Sequence, residues 1–147
     1  MLDHGQNYLW TTGNNELWIW KTSDMKNWQS DRPVFKSGPV HTGNILNLLI
    51  SKNDEYLFTF DNDDSLKVWR VFDFFSKHKK CISPVWETTQ SLSSRNSRHD
   101  VENIYEQNPR LVLKVPAVID HVRQLLYVIT RNLYLKIFDI SDPTDLQ

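Results

Sequence analysis

HTGNILNLLISKNDEYLFTFDNDDSLKVW, residues 41–69, is the stretch on which the reading of the fold turns. Its apolar residues come in short bursts, at 45–50, at 56–60 and in a third run ending at Trp69, with polar turns at 51–55 and 61–64 between them. β-Branched and aromatic side chains suit a pleated surface, and Asn/Asp clusters favour tight turns. No burst is long enough for a helix. The stretch therefore predicts three antiparallel strands in a meander.

Working outward, the same order of elements recurs on both sides. Upstream the chain reads YLWTTGNNELWIWK over residues 8–21, and downstream LLYVITRNLYLKIFD over residues 125–139. Each copy has an apolar run, a turn, and a second run closed by an aromatic: Trp20, Trp69 and Phe138. An internal repeat of this kind marks a chain built of similar sheets. Prolines open two further runs, 33–36 and 84–88, as expected of outer edge strands that leave one N–H unpaired. Residues 117–122 are expected to open the third unit. The approximate units are 1–36, 37–89 and 111–147. Between the last two lies SLSSRNSRHDVENIYEQNPR, residues 91–110, whose polarity and lack of alternation predict a flexible loop insertion. The first unit lacks an opening strand, because little chain precedes Tyr8, and the last lacks an outer one.

The central repeat resembles one repeat of the WD40 family, a His–Gly region followed by three strands ending in Trp. That resemblance implies an all-β fold, an incomplete β-propeller of antiparallel four-stranded blades, with about two and a half blades in this chain. It also implies a buried hydrogen-bond network of His41, Thr59, Asp63 and Trp69. The chemistry suits those types, because an indole N–H only donates, a hydroxyl donates and accepts, and a carboxylate holds the second imidazole nitrogen. The outer units depart from the pattern. Asn15 and Asn132 replace the acid, Phe138 replaces Trp, and no His–Gly pair stands ahead of an opening strand, so packing must hold those sheets.

In function, the resemblance implies a non-catalytic protein–protein interaction scaffold, a complex subunit working within a larger assembly. Turns at 13–16, 61–64 and 130–132 would share a face and present Asn14, Asp61, Asn62 and Arg131 to a protein partner. An open stack of blades would also leave an apolar face bare at each end. Other subunits that complete the ring are expected in preference to a homo-oligomer, since the two ends differ in sequence.

Composition narrows the classes further. Apolar residues at 39% and charged residues at 24% fit a globular domain, and a net charge of -1 gives no field for nucleic acid or an anionic membrane. Cys81 is the only cysteine, so no internal disulfide forms; this and the lack of a leader-like or spanning apolar run make cytoplasm or nucleus the expected location. No Gly-rich phosphate loop is present, the acidic run at 61–64 lacks the Gly and distal Glu of a calcium loop, and the basic residues 77–80 read as a solvated loop. No cofactor and no metal are expected. The alternative is a carbohydrate-active enzyme. Residues 23–28 (SDMKNW) resemble a turn of five-bladed propeller glycosidases, which work with paired carboxylates; Asp3, Asp24, Asp61 and Asp120 are the candidates, though no spacing selects a pair.

Overall fold

The computed structural model describes residues 1–27, 32–76, 81–88, 117–130 and 135–147. Among the described residues, three antiparallel sheets follow one another along the chain. The first holds β1 (Tyr8–Gly13), β2 (Glu16–Lys21) and β3 (Phe35–Pro39). The second holds β4 (Ile45–Ile50), β5 (Tyr56–Asp61), β6 (Leu66–Arg70) and the short β7 (Trp86–Glu87). The third holds β8 (Ala117–Asp120), β9 (Leu125–Ile129) and β10 (Leu135–Asp139). Neighbours in each sheet are consecutive in sequence, so each is a meander.

The period-two pattern decides which side chains meet between sheets. On β5 every residue from Leu57 to Asp61 is buried, because the middle sheet is covered on both faces. Leu57 and Trp69 face the first sheet and join Trp10, Leu17 and Ile19. Phe58, Phe60, Leu66 and Val68 face the third and meet Leu126 and Val128. Fully burying a side chain of this size is worth roughly 1.5–3 kcal/mol, so the middle sheet holds the stack together.

Turn chemistry fits the hairpins. Asn14, Asp54 and Asp64 adopt left-handed backbone with φ of 58°, 58° and 57°. Asn and Asp tolerate that region better than other side chains with a Cβ. At Gly13 a Cβ would stand 2.7 Å from the Trp18 ring, so the β1–β2 turn requires glycine there.

Four expectations change. Residues 1–3 act as a rudimentary inner strand for the first sheet. The Met1 amine donates to the Trp10 carbonyl (2.8 Å), Trp10 N–H to Met1 O (2.7 Å) and Asp3 N–H to Tyr8 O (3.1 Å). The outer strand of that sheet runs Phe35–Pro39, past the boundary expected at 36, since Phe35 is the residue that pairs with Ile19. A one-turn helix, α1 (Val71–Phe75), and a 3-10 turn, Thr22–Asn27, stand where no helix was expected. Packing holds α1: the Phe74 ring meets those of Trp10, Phe35 and Trp69 at 5.3, 5.8 and 6.1 Å. So short a helix depends on such contacts. The insertion at 91–110 and the basic loop at 77–80 lie outside the described residues.

Candidate interaction face and its supporting network

Beneath one rim of the stack lies a buried polar chain. His41 comes from the β3–β4 loop, Thr59 and Asp61 from β5, and Trp69 from β6, all with side chains removed from water. Trp69 Nε1–H donates to Thr59 Oγ1 at 2.8 Å. The threonine hydroxyl is 2.6 Å from His41 Nε2 but 3.5 Å from the Lys67 carbonyl, so its proton goes to the imidazole. That leaves His41 Nδ1–H for Asp61 Oδ2, 2.9 Å away.

The carboxylate in this chain is Asp61, not Asp63. Strand alternation is the reason: Thr59 and Asp61 are two apart on β5 and share a face, while Asp63 lies two residues further out in the turn. Asp61 was expected on the partner-facing surface, and burial removes it from there. Its second oxygen, Oδ1, accepts the N–H groups of Asp63 (3.0 Å) and Ser65 (2.9 Å), so one carboxylate both orients the imidazole and shapes the β5–β6 turn. Burial pushes its pKa up, but the hydrogen bond from His41 and the two turn N–H groups outweigh that and hold it below the usual carboxylate value. Because the set is buried, it offers no reacting atom to a substrate. Its chemistry is positional.

What it positions is the rim. Val40 N–H and Ile45 N–H donate to the carbonyls of Asn15 (2.9 Å) and Asn14 (2.8 Å), tying the β3–β4 loop to the β1–β2 turn. On the other side, Asn44 N–H donates to Asn62 Oδ1 (2.8 Å) and Asn62 N–H to Asn44 O (2.9 Å). Two turns distant in sequence thus meet across one loop. Asn14, Thr42, Asn44, Asn62 and Asp63 stand exposed there. Gly43 sits tightly at this seam: a Cβ there would crowd the Asn62 side-chain carbonyl and stand 2.7 Å from the Asp63 carboxylate, so both side chains would have to move. Sequence reasoning reached Asn14 and Asn62, but missed Thr42 and Asn44, which alternation and turn rules leave as ordinary loop residues. Arg131 lies outside the described residues.

The other nominated carboxylates serve their own turns. Asp3 accepts from the N–H groups of Asn7 and Tyr8. Asp24 accepts from the Ser23 hydroxyl at 2.8 Å. Asp120 accepts from the Arg123 and Val122 N–H groups, chiefly the former, which holds its pKa below the ordinary value. A glycosidase acid needs the opposite shift. Trp28, the end of the glycosidase-like turn, lies outside the described residues, and Cys81 is an exposed free thiol. Near the β4–β5 turn, at the other end of the strands, a cleft of about 470 Å³ runs between Lys52, Glu55, Tyr56, His121 and Ser141.

No protein-family model matches the chain, and neither does any curated protein sequence. Solved structures do. The chain superposes over its whole length on the WD40 repeats of RRP9, with a TM-score of 0.63 and 12% identity, covering 36% of that chain. Over 97% of its length it superposes on the β-propeller domain of Cps50 (Swd1) from Myceliophteria thermophila, with a TM-score of 0.57 and 14% identity, covering 35% of that chain. The fold is therefore that of a WD40-type β-propeller, and this chain spans little more than a third of the matched propeller structures.

Proposed function

We propose that this chain is a non-catalytic protein–protein interaction scaffold, part of a WD40-type propeller working within a larger assembly. The observation that carries the reading is the rim: exposed Asn, Thr and Asp side chains from two turns and one loop, held in a single arrangement by a buried network. A preorganised polar surface on a rigid stack loses little entropy on binding. Propeller neighbours support the same reading by fold alone. The partners are other protein subunits. Cytoplasm or nucleus suits an exposed free thiol. Among the described residues no helix is long and apolar enough to cross a membrane.

The test is cross-linking of the full chain in cell extract, comparing the parent with a Thr42→Arg/Asp63→Arg variant. Both side chains are exposed, so the variant should melt within about 2 °C of the parent, as surface changes do. Loss of a discrete set of cross-linked proteins is the expected outcome. An unchanged set, from a folded variant, would remove the rim from the interface.

A further inference from the structure

At the end of the strands opposite the rim, each sheet turns out of its innermost strand in the same way. Asp3 in the first sheet, Ser51 in the second and Asp120 in the third each pair with the residue five further on, Tyr8, Tyr56 and Leu125. The side-chain oxygen of each then accepts backbone N–H groups of its own turn. Asp3 Oδ1 takes those of Asn7 (2.8 Å) and Tyr8 (3.1 Å), Ser51 Oγ that of Tyr56 (3.0 Å), and Asp120 Oδ1 those of Val122 (2.9 Å) and Arg123 (3.0 Å). Each turn also holds a left-handed residue, Gln6, Asp54 and Gln124, with φ of 55°, 58° and 55°. The residue after the capping oxygen is therefore one structural position met three times: His4, Lys52 and His121. The dipeptide Asp–His stands at the first turn and again at the third.

Those two histidines meet. His4 N–H donates to both oxygens of the Asp54 carboxylate, at 3.1 Å each, which draws the first turn onto the second. The His4 ring then reaches past the middle turn to the His121 ring, with 5.6 Å between centroids and the planes at 75°. Among the described residues neither imidazole takes part in a hydrogen bond, whereas both ring nitrogens of His41 do. His4 is exposed and His121 half-buried, so both rings can turn about their side-chain bonds. An imidazole nitrogen binds Zn²⁺ at about 2.0–2.1 Å, which puts the centroids of two rings on one ion about 5–6 Å apart. The spacing of His4 and His121 falls in that span. Charge does not oppose a cation there. Asp54 brings a carboxylate beside the pair, Arg123 is paired with Asp120 at 3.4 Å, and Lys52 shares the cleft beside His121 with Glu55.

We propose that His4 and His121 together bind a divalent transition-metal ion of the zinc class, which fastens the first sheet to the third across the turn of the second. Two imidazoles suit Zn²⁺, Cu²⁺ or Ni²⁺, whereas Mg²⁺ and Ca²⁺ take oxygen ligands. Among the described residues no group of three or more His, Cys, Asp or Glu side chains is placed to hold an ion, so water completes the coordination and the ion is exchangeable. The two histidines lie far apart in the sequence, and no ligand spacing announces them. The site is separate from the rim, at the opposite end of the strands, and does not depend on the scaffold reading.

The experiment is titration of ZnCl2 into the full chain at about pH 7.5, where imidazole is largely neutral, followed by calorimetry and by the NMR signals of the histidine rings. One ion per chain is expected, with the His4 and His121 signals moving together, those of buried His41 staying in place, and MgCl2 silent. His4→Gln and His121→Gln should each weaken zinc binding at least about tenfold, since even an outer-shell partner of a ligand is worth about 10–100-fold. Both positions reach solvent, so without metal the variants should melt within about 2 °C of the parent. A His78→Gln/His99→Gln variant, changed at the histidines outside the described residues, should bind as the parent does. At about a hundredfold excess over Kd, zinc should raise the parent's melting temperature by about 5–10 °C and that of either single variant by less than half as much. No heat at millimolar zinc, one ring signal moving without the other, or affinity lost in His78→Gln/His99→Gln instead would overturn the proposal. A zinc-dependent dimer in sedimentation that disappears in His4→Gln would assign the histidines to a contact between chains and overturn it equally.

Discussion

Replacing Asp61 and, separately, Asp63 by Ala distinguishes the two roles of neighbouring carboxylates. Asp61 accepts from three donors: His41 Nδ1–H at 2.9 Å and the N–H groups of Asp63 and Ser65 at 3.0 and 2.9 Å. The imidazole is buried, so losing its acceptor leaves a donor stranded at a cost of roughly 1–3 kcal/mol. The two turn N–H groups lie nearer solvent and can turn to water, which limits their loss to about 1 kcal/mol together. The sum is about 2–4 kcal/mol. Asp63 makes one long contact, from Thr42 Oγ1 at 3.4 Å, on an exposed turn, so its removal should fall within about 0.5 kcal/mol of zero. For a domain of this size 1 kcal/mol moves the melting temperature by roughly 3–4 °C. Asp61→Ala should therefore melt about 6–16 °C below the parent, and Asp63→Ala within about 2 °C of it. The assay is thermal unfolding followed by far-UV circular dichroism and tryptophan fluorescence on the same samples, with coincident transitions required before the shifts are compared. Equal shifts, or a larger one for Asp63→Ala, would refute the argument that strand alternation places Asp61 in the network.

Trp69→Ala removes a side chain packed against Trp10, Leu57 and Phe74 and should cost roughly 3–5 kcal/mol, enough to leave a chain with about 5–15 kcal/mol in hand largely unfolded or insoluble; soluble yield and a urea midpoint near the parent's would contradict the sheet assignment. Gly43→Ala drives a methyl into the Asn62 side chain while that group holds Asn44 N–H at 2.8 Å, so stability should fall by about 1–2 kcal/mol, read from the urea midpoint. The acid limb should also respond to Asp61. The folded chain binds its proton less readily than the unfolded chain, so the stability it confers is complete above the unfolded-state value of ~3.9 and is lost as pH falls through the lower folded-state value. Asp61→Asn should flatten the dependence of stability on pH below about 4, and an acid limb as steep as the parent's would show that other carboxylates set it.

Strands were legible because their signal is local. Residues 45–50 and 56–61 carry β-branched and aromatic side chains between turns rich in Asn and Asp, and that chemistry acts within a few residues. The features that escaped depend on partners far along the chain. Residues 1–3 pair with β1 because Tyr8 and Trp10 offer backbone groups, and three residues carry no periodicity of their own. α1 forms because Phe74 finds rings on β1, β3 and β6, although the five residues of that turn would not hold a helix unaided. The site shows the same division in smaller compass. Motif spacing points to Asp63, whereas counting by twos from Thr59 reaches Asp61, because strand alternation decides which side chains share a face. The row of Val118, Tyr127 and Ile137 differs in kind. It joins residues on three strands through a register fixed by pairing, and pairing in this chain includes a shift between Ile45 and Asn47 that no local pattern announces. Each side chain of that row looks, in sequence, like half of an ordinary buried strand. Only the geometry shows which of these half-contacts another sheet meets, which is why strands can be read from the chain while the packing between sheets must be read from the structure.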